Sequence, residues 1–246
     1  MKYAEYLNVV ETSAQVIAAG TVSADLPVPS CPGWRTADLR AHVVNVLRQK
    51  LPVLRGRLTA APGPDSWPRA DPTDTDLPSA LRAAAEEVVT LLREIGPEVG
   101  LWSWFEPDRT SSFWARRLAH EMAIHAIDSE LARGLGPQCD PQLAADGVGE
   151  LVNVFLARPG RPIADDGPES VVHLHGSDIF CEWSVGLTRS GMTAIPGHPD
   201  SPEAELRGPV ASLYLWGWGR GTIAGIDIRG DEGLPRRLRE LAARAT

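Results

Sequence analysis

Trp114-Ala115-Arg116-Arg117-Leu118-Ala119-His120-Glu121-Met122-Ala123-Ile124-His125 is the stretch whose reading decides the fold. Trp114, Leu118, Glu121 and His125 recur at steps of 4, 3 and 4, the spacing of one helix face, so a carboxylate and an imidazole one turn apart share an apolar stripe. In a second stretch, 36–47, Leu39, His42, Val43, Val46 and Leu47 follow the i, i+3, i+4, i+7, i+8 spacing of another helix face, and His42 is expected to point into a core. An ionised carboxylate on a buried face either neutralises or finds a cation. Two neutral imidazoles and one carboxylate on two helices supply three ligands to a divalent metal and leave positions for water or substrate, which is the pattern of catalytic zinc. Singly, the same residues have plainer readings: His42 as a hydrogen-bonded core histidine, Glu121 and His125 as a hydrogen-bonded pair on a solvated face. The zincin motif H-E-x-x-H is excluded, because His120 and His125 are five residues apart, about 140° around the helix.

Outward from these helices, the chain of 246 residues is long enough for two domains. Helical periodicity covers 4–19, 36–54, 78–95 and 112–133, with Thr36 as an N-cap, Pro52 kinking or ending the second helix, and Gly134 closing the fourth. A Pro-, Gly- and Asp-rich loop spans 59–76, and a further helix is expected over 141–157. The segment 157–162 reads as a linker, after which alternation takes over: strands at 171–175, 181–187, 204–207 and 223–228, with helices at 209–218 and 234–243. The expected domains are therefore a helical bundle over 1–158 and a small α+β domain over 163–246.

A net charge of −8 and the lack of a basic stripe argue against nucleic acid as a partner. Cys31, Cys139 and Cys181 form no C-x-x-C pair, which fits a reducing cytoplasm, and no apolar run of membrane-spanning length occurs. A monomer or homodimer free of membrane is expected.

Three segments together resemble the mycothiol-dependent maleylpyruvate isomerase family. They are Val28-Pro29-Ser30-Cys31-Pro32-Gly33-Trp34-Arg35-Thr36-Ala37-Asp38-Leu39 with His42 following, 117–128 containing Glu121 and His125, and Leu213-Tyr214-Leu215-Trp216-Gly217-Trp218-Gly219-Arg220. The resemblance implies a DinB-like four-helix metal-binding bundle followed by a small sterol-carrier-like α+β domain. It also implies zinc on His42, Glu121 and His125, and mycothiol or a similar thiol as cosubstrate alongside a small-molecule substrate. His42 and Arg220 are then the expected catalytic residues, and Arg220, Trp102 and Trp104 the expected thiol-binding ones, with Arg220 suited to a bidentate carboxylate contact. Ala126 stands where relatives carry a basic residue, so one anion contact is absent. The expected function is isomerisation of a maleylpyruvate-like substrate or thiol S-transfer. The alternatives are metal-dependent hydrolysis of a thiol conjugate and non-catalytic sequestration of metal or a small ligand.

Several other residues are assigned structural roles. Trp34 and Trp114 are read as core anchors, Trp102 and Trp104 as equally suited to packing and to a pocket wall, and His173 and His175 as exposed histidines on a solvated sheet face. Cys31 is read as a small residue packed in the turn before the second helix, and Asp128 as either orienting a ligand or closing a salt bridge.

Overall fold

The computed structural model describes residues 1–19, 23–63, 66–163 and 165–245. These divide into two compact units, Met1–Pro137 and Gln138–Thr246.

The first unit contains α1 (Tyr3–Ile17), α2 (Thr36–Gly56), α3 (Leu77–Ile95) and α4 (Ser111–Ala132). α1 packs on α3 and α4, and α2 packs on the same two helices, so that four apolar stripes close one core. Leu7, Val10, Ala14 and Ile17 of α1, Leu39, Val43 and Leu47 of α2, Leu81, Val88 and Leu92 of α3, and Trp114, Leu118 and Met122 of α4 are all buried there. Burying a side chain of this size stabilises the fold by about 1.5–3 kcal/mol relative to exposure. Pro52 lies within α2 rather than ending it, and the helix continues to Gly56, where Arg57 turns left-handed at φ 45°. Thr110 caps α4 by accepting from the Phe113 backbone N–H, and Gly134 at φ 74° closes the other end. Two isolated bridges, Pro27 with Arg35 and Gly100 with Thr110, hold the loops that lead into α2 and α4.

The second unit begins earlier than the expected boundary near 158–163. α5 (Pro141–Glu150) and the π-helical turn Leu151–Leu156 that extends it belong to this unit, because α5 packs on α6 (Val210–Gly217) and the π turn on α7 (Leu234–Ala245) and on β3. Gly147 is required at the α5–α6 contact: a Cβ there would meet the Tyr214 ring at 2.2 Å.

The sheet runs β3 (Gly191–Pro196), β2 (Glu182–Thr188), β1 (Ser170–Gly176), β4 (Ala204–Gly208), β5 (Asp227–Gly230). β1 and β4 are parallel and the other pairs antiparallel. β3 is a strand the sequence reading left out, and β5 begins later than the expected 223–228. Val172 and Leu174 alternate with His173 and His175 along β1, and Leu174 lines an apolar interior with Leu213, Trp216 and Leu238. The histidines thus occupy the opposite face of the sheet from the helices.

Candidate metal centre

α4 presents Glu121 and His125 one turn apart, and α2 brings His42 to them. Glu121 Oε1 lies 3.3 Å from His42 Nε2 and 3.3 Å from His125 Nε2. One ligand atom from each residue falls within 4.8 Å of the others. Metal–nitrogen and metal–oxygen bonds of about 2.0–2.1 Å at tetrahedral angles put donor atoms about 3.3–3.4 Å apart, so the two contacts to Oε1 have the span of a shared metal.

The groups behind the donors are fixed in turn. Arg117, one turn before Glu121 and almost fully buried, donates to Glu121 Oε2 at 2.8 Å, which leaves Oε1 to the histidines. Asp128, fully buried, accepts from His125 Nδ1 at 2.8 Å and so directs His125 Nε2 toward Glu121. Ser30 Oγ donates to the other Asp128 oxygen, and Cys31 Sγ lies 3.6 Å from Oδ2. The loop before α2 therefore braces α4. Trp34, from the same loop, has its ring centroid 5.0 Å from that of His42 and stacks at 6.5 Å on that of His125.

The electrostatics follow from these contacts. Burial opposes ionisation of Glu121, yet the hydrogen bonds from His125 and His42 and the Arg117 charge outweigh it and hold the carboxyl well below its ordinary range. Burial disfavours the charged form of His125, but hydrogen bonds to Asp128 and Glu121 overcome this and push it up to about 9 in the metal-free site. Two imidazoles converging on one carboxylate are a donor set suited to a cation, and a metal would bind there in place of the proton. The donor set and its spacing fit a divalent metal.

His42, Glu121 and His125 are brought together. His42 is not in a closed core, however: its side chain is 37% exposed, because the helix face it occupies meets the surface beside Trp34, and the site opens there. Trp34 is likewise half-buried rather than a core anchor, and its ring serves the two histidines. His120 is fully buried on a different side of α4, with its ring 6.4 Å from that of Tyr6 on α1. Trp102 packs on Trp114, and Trp104 on Phe105 and Phe113, in an aromatic cluster at the start of α4. Arg220 lies in the second unit, just past α6, and donates to the Trp218 carbonyl at 2.8 Å.

Three contributors escaped the sequence reading. Arg117 carried a readable signal, an arginine four residues before a glutamate. Ser30 carried none. Lys50, on α2, is buried with Nζ 4.8 Å from the Trp114 ring centroid, and burial pushes it down to about 8 while Glu121 partly restores it. The expectation that His173 is exposed also fails, since it is fully buried.

A model of the mycothiol maleylpyruvate isomerase N-terminal domain matches residues 10–130, and a model of the C-terminal domain of the same family (MDMPI) matches residues 142–237. No curated protein matches the sequence. Among solved structures, the crystal structure of a histidine-to-alanine mutant of the mycothiol-dependent maleylpyruvate isomerase is 17% identical, with 93% of each chain covered and a TM-score of 0.56. The crystal structure titled simply as that isomerase is 16% identical over the same shares, at a TM-score of 0.53. At such identity the likeness speaks for the fold, and the two family models, in order along most of the chain, speak for membership. The chain belongs to the mycothiol-dependent maleylpyruvate isomerase family, a family of enzymes.

Proposed function

We propose that this chain is a zinc-dependent isomerase that uses mycothiol, or a closely similar low-molecular-weight thiol, on a maleylpyruvate-like diacid. The observation that carries the reading is Glu121 Oε1 at 3.3 Å from both imidazoles, with Arg117 occupying Oε2 and Asp128 fixing His125 Nδ1. His42, Glu121 and His125 hold the metal. A zinc ion in this site lowers the pKa of a thiol that coordinates it, and so supplies thiolate at neutral pH.

The protein's own groups do the rest. Asp128 keeps the His125 ring in the tautomer that leaves Nε2 free, and Arg117 keeps the Glu121 carboxylate ionised and in place. The half-exposed position of His42 leaves the site accessible from solvent. Arg220 pairs with a carboxylate of substrate or thiol, and Trp102 and Trp104 contribute to thiol binding. The thiolate sulfur adds to one carbon of the conjugated cis double bond, moving the electron pair onto the conjugated carbonyl. The former double bond rotates, the pair returns, and the sulfur leaves. Nothing is oxidised or reduced overall.

The test is conversion of maleylpyruvate by the metal-loaded protein with and without mycothiol. Turnover is expected only with the thiol, and His42→Ala is expected to bring it to background while removing one equivalent of metal relative to the parent. Arg220→Lys is expected to raise KM by about 10-fold, as loss of a bidentate carboxylate contact does. Turnover without thiol overturns the reading in favour of hydrolysis, a stable thiol adduct as product overturns it in favour of S-transfer, and metal retained in full by His42→Ala overturns the ligand assignment.

A further inference from the structure

The sheet of the second unit carries another set of donors. β1 places His173 and His175 two residues apart on one face, and the β1–β2 register sets Glu182 directly across from His175. His175 Nδ1 lies 3.0 Å from Glu182 Oε1. One nitrogen from each histidine and one oxygen of Glu182 all fall within 4.8 Å of one another.

His173 is the informative member. It is fully buried, and neither of its ring nitrogens has a hydrogen-bond partner among the described residues. A buried imidazole left unpaired forfeits the hydrogen bonds it made in water, so this ring calls for a missing partner. Its neighbours His175 and Glu182 are metal ligands by type, and together the three present lone pairs that a cation would take up. A fourth group stands at the edge: Gly197 N–H donates to the Glu182 carbonyl, which turns the chain after β3 back across β2 and sets the His198 ring 4.4 Å from that of His173.

We propose that His173, His175 and Glu182 form a second divalent-metal site, with His198 at its open side. Two imidazoles and one carboxylate select zinc and its neighbours, such as cobalt and nickel, over magnesium and calcium, which prefer oxygen cages. The ligands come from the adjacent strands β1 and β2, so the ion acts as a clasp across one end of the sheet. This proposal is independent of the function assigned to the first unit.

The experiment uses the full chain carrying His42→Ala and His125→Ala, stripped with chelator and titrated with cobalt(II) alone, read by its visible absorption and by calorimetry. One equivalent is expected to bind, with the thermal unfolding midpoint rising as cobalt is added. Adding His175→Ala is expected to abolish that binding, and adding Glu182→Gln instead to weaken it at least about tenfold. These two positions are half-buried, so circular dichroism and the metal-free unfolding midpoint report whether the variants still fold; a variant that unfolds is replaced by His175→Gln. No binding at about 100 µM cobalt by the folded double variant overturns the proposal, and so does an affinity unchanged by the His175 substitution. If the first site fails to bind metal while the second succeeds, the parent chain holds one equivalent that survives His42→Ala and disappears with His175→Ala.

Discussion

The two units build the same donor set, two histidines and a glutamate, on different scaffolds. On the helices the donors come from i and i+4 of α4 and one position of α2, and on the sheet from i and i+2 of β1 and the opposed residue of β2. Two of the three helical ligands are held from behind: Arg117 holds Glu121, and Asp128, itself braced by Ser30, holds His125. Among the described residues, the sheet set has one close internal contact, His175 with Glu182, and one imidazole with neither nitrogen paired. Side-chain spacing is thus enough to converge ligands, but it does not preorganise them; that is done by groups whose relation to the ligands appears only when the chain is folded.

Substitutions can break or sharpen this contrast. The largest effect is expected from Glu121→Gln, which removes the carboxylate shared by His42, His125 and Arg117. Thiol-dependent turnover is expected to fall to background and one equivalent of metal to be lost, with the cobalt spectrum of the sheet site unchanged; loss of both sites would show that they are not separate. Next is Asp128→Asn, expected to lower metal affinity or activity about 10–100-fold by freeing the His125 ring. Activity within twofold of the parent would mean that the bracing of the helical site is incidental.

A third change probes the second unit. Arg237 forks onto both oxygens of Asp165, which is nearly buried, and this hydrogen bonding holds the Asp165 carboxyl below its ordinary value. The folded state therefore binds this proton less readily than the unfolded chain. The pair's stabilisation is present above the unfolded carboxyl value of about 4 and is lost as pH falls through the lower folded value. Asp165→Asn is expected to destabilise by about 1.5–3 kcal/mol at pH 7, with the difference in urea midpoint closing under acid conditions.

The last and smallest change falls on the first unit, where stability again rises with pH but at the alkaline end of the scale. Burial holds Lys50 at about 8, below the ordinary lysine value, so the unfolded chain binds the extra proton between about 8 and 10.5 and folding stability gains as pH rises through that window. Lys50→Met is expected to flatten that rise in metal-stripped protein, seen in unfolding midpoints at pH 7 and pH 10.

Much of the bundle was legible because each helix advertises itself over many residues. Apolar stripes at 3.6-residue spacing, Gly134 and the paired spacing of Glu121 and His125 all agree with α4 as it stands. The sheet was less legible. β3 has six residues, with a glycine at its start and a proline at its end, and too little alternation to declare itself without its partner β2. The domain boundary was misplaced because α5 reads as one more amphipathic helix, while its packing on α6 depends on residues some 65 positions later. His173 was read as exposed because alternation assigns a residue to a face and says nothing about what covers that face. Trp34 reads as core from its type, whereas the loop that carries it turns the ring onto His42 and His125. The brace from Ser30 spans 98 positions in sequence, and no local pattern announces it.

Gly147 and Tyr214 illustrate how such distant dependence constrains inheritance. The ring sits where the first carbon of any other side chain would have to go, so the two positions are not free to drift separately. A lineage that enlarges position 147 first passes through a clash, whereas one that first shrinks position 214 passes only through a void. The order in which substitutions arrive, and not merely their final combination, therefore decides which descendants of this chain can fold.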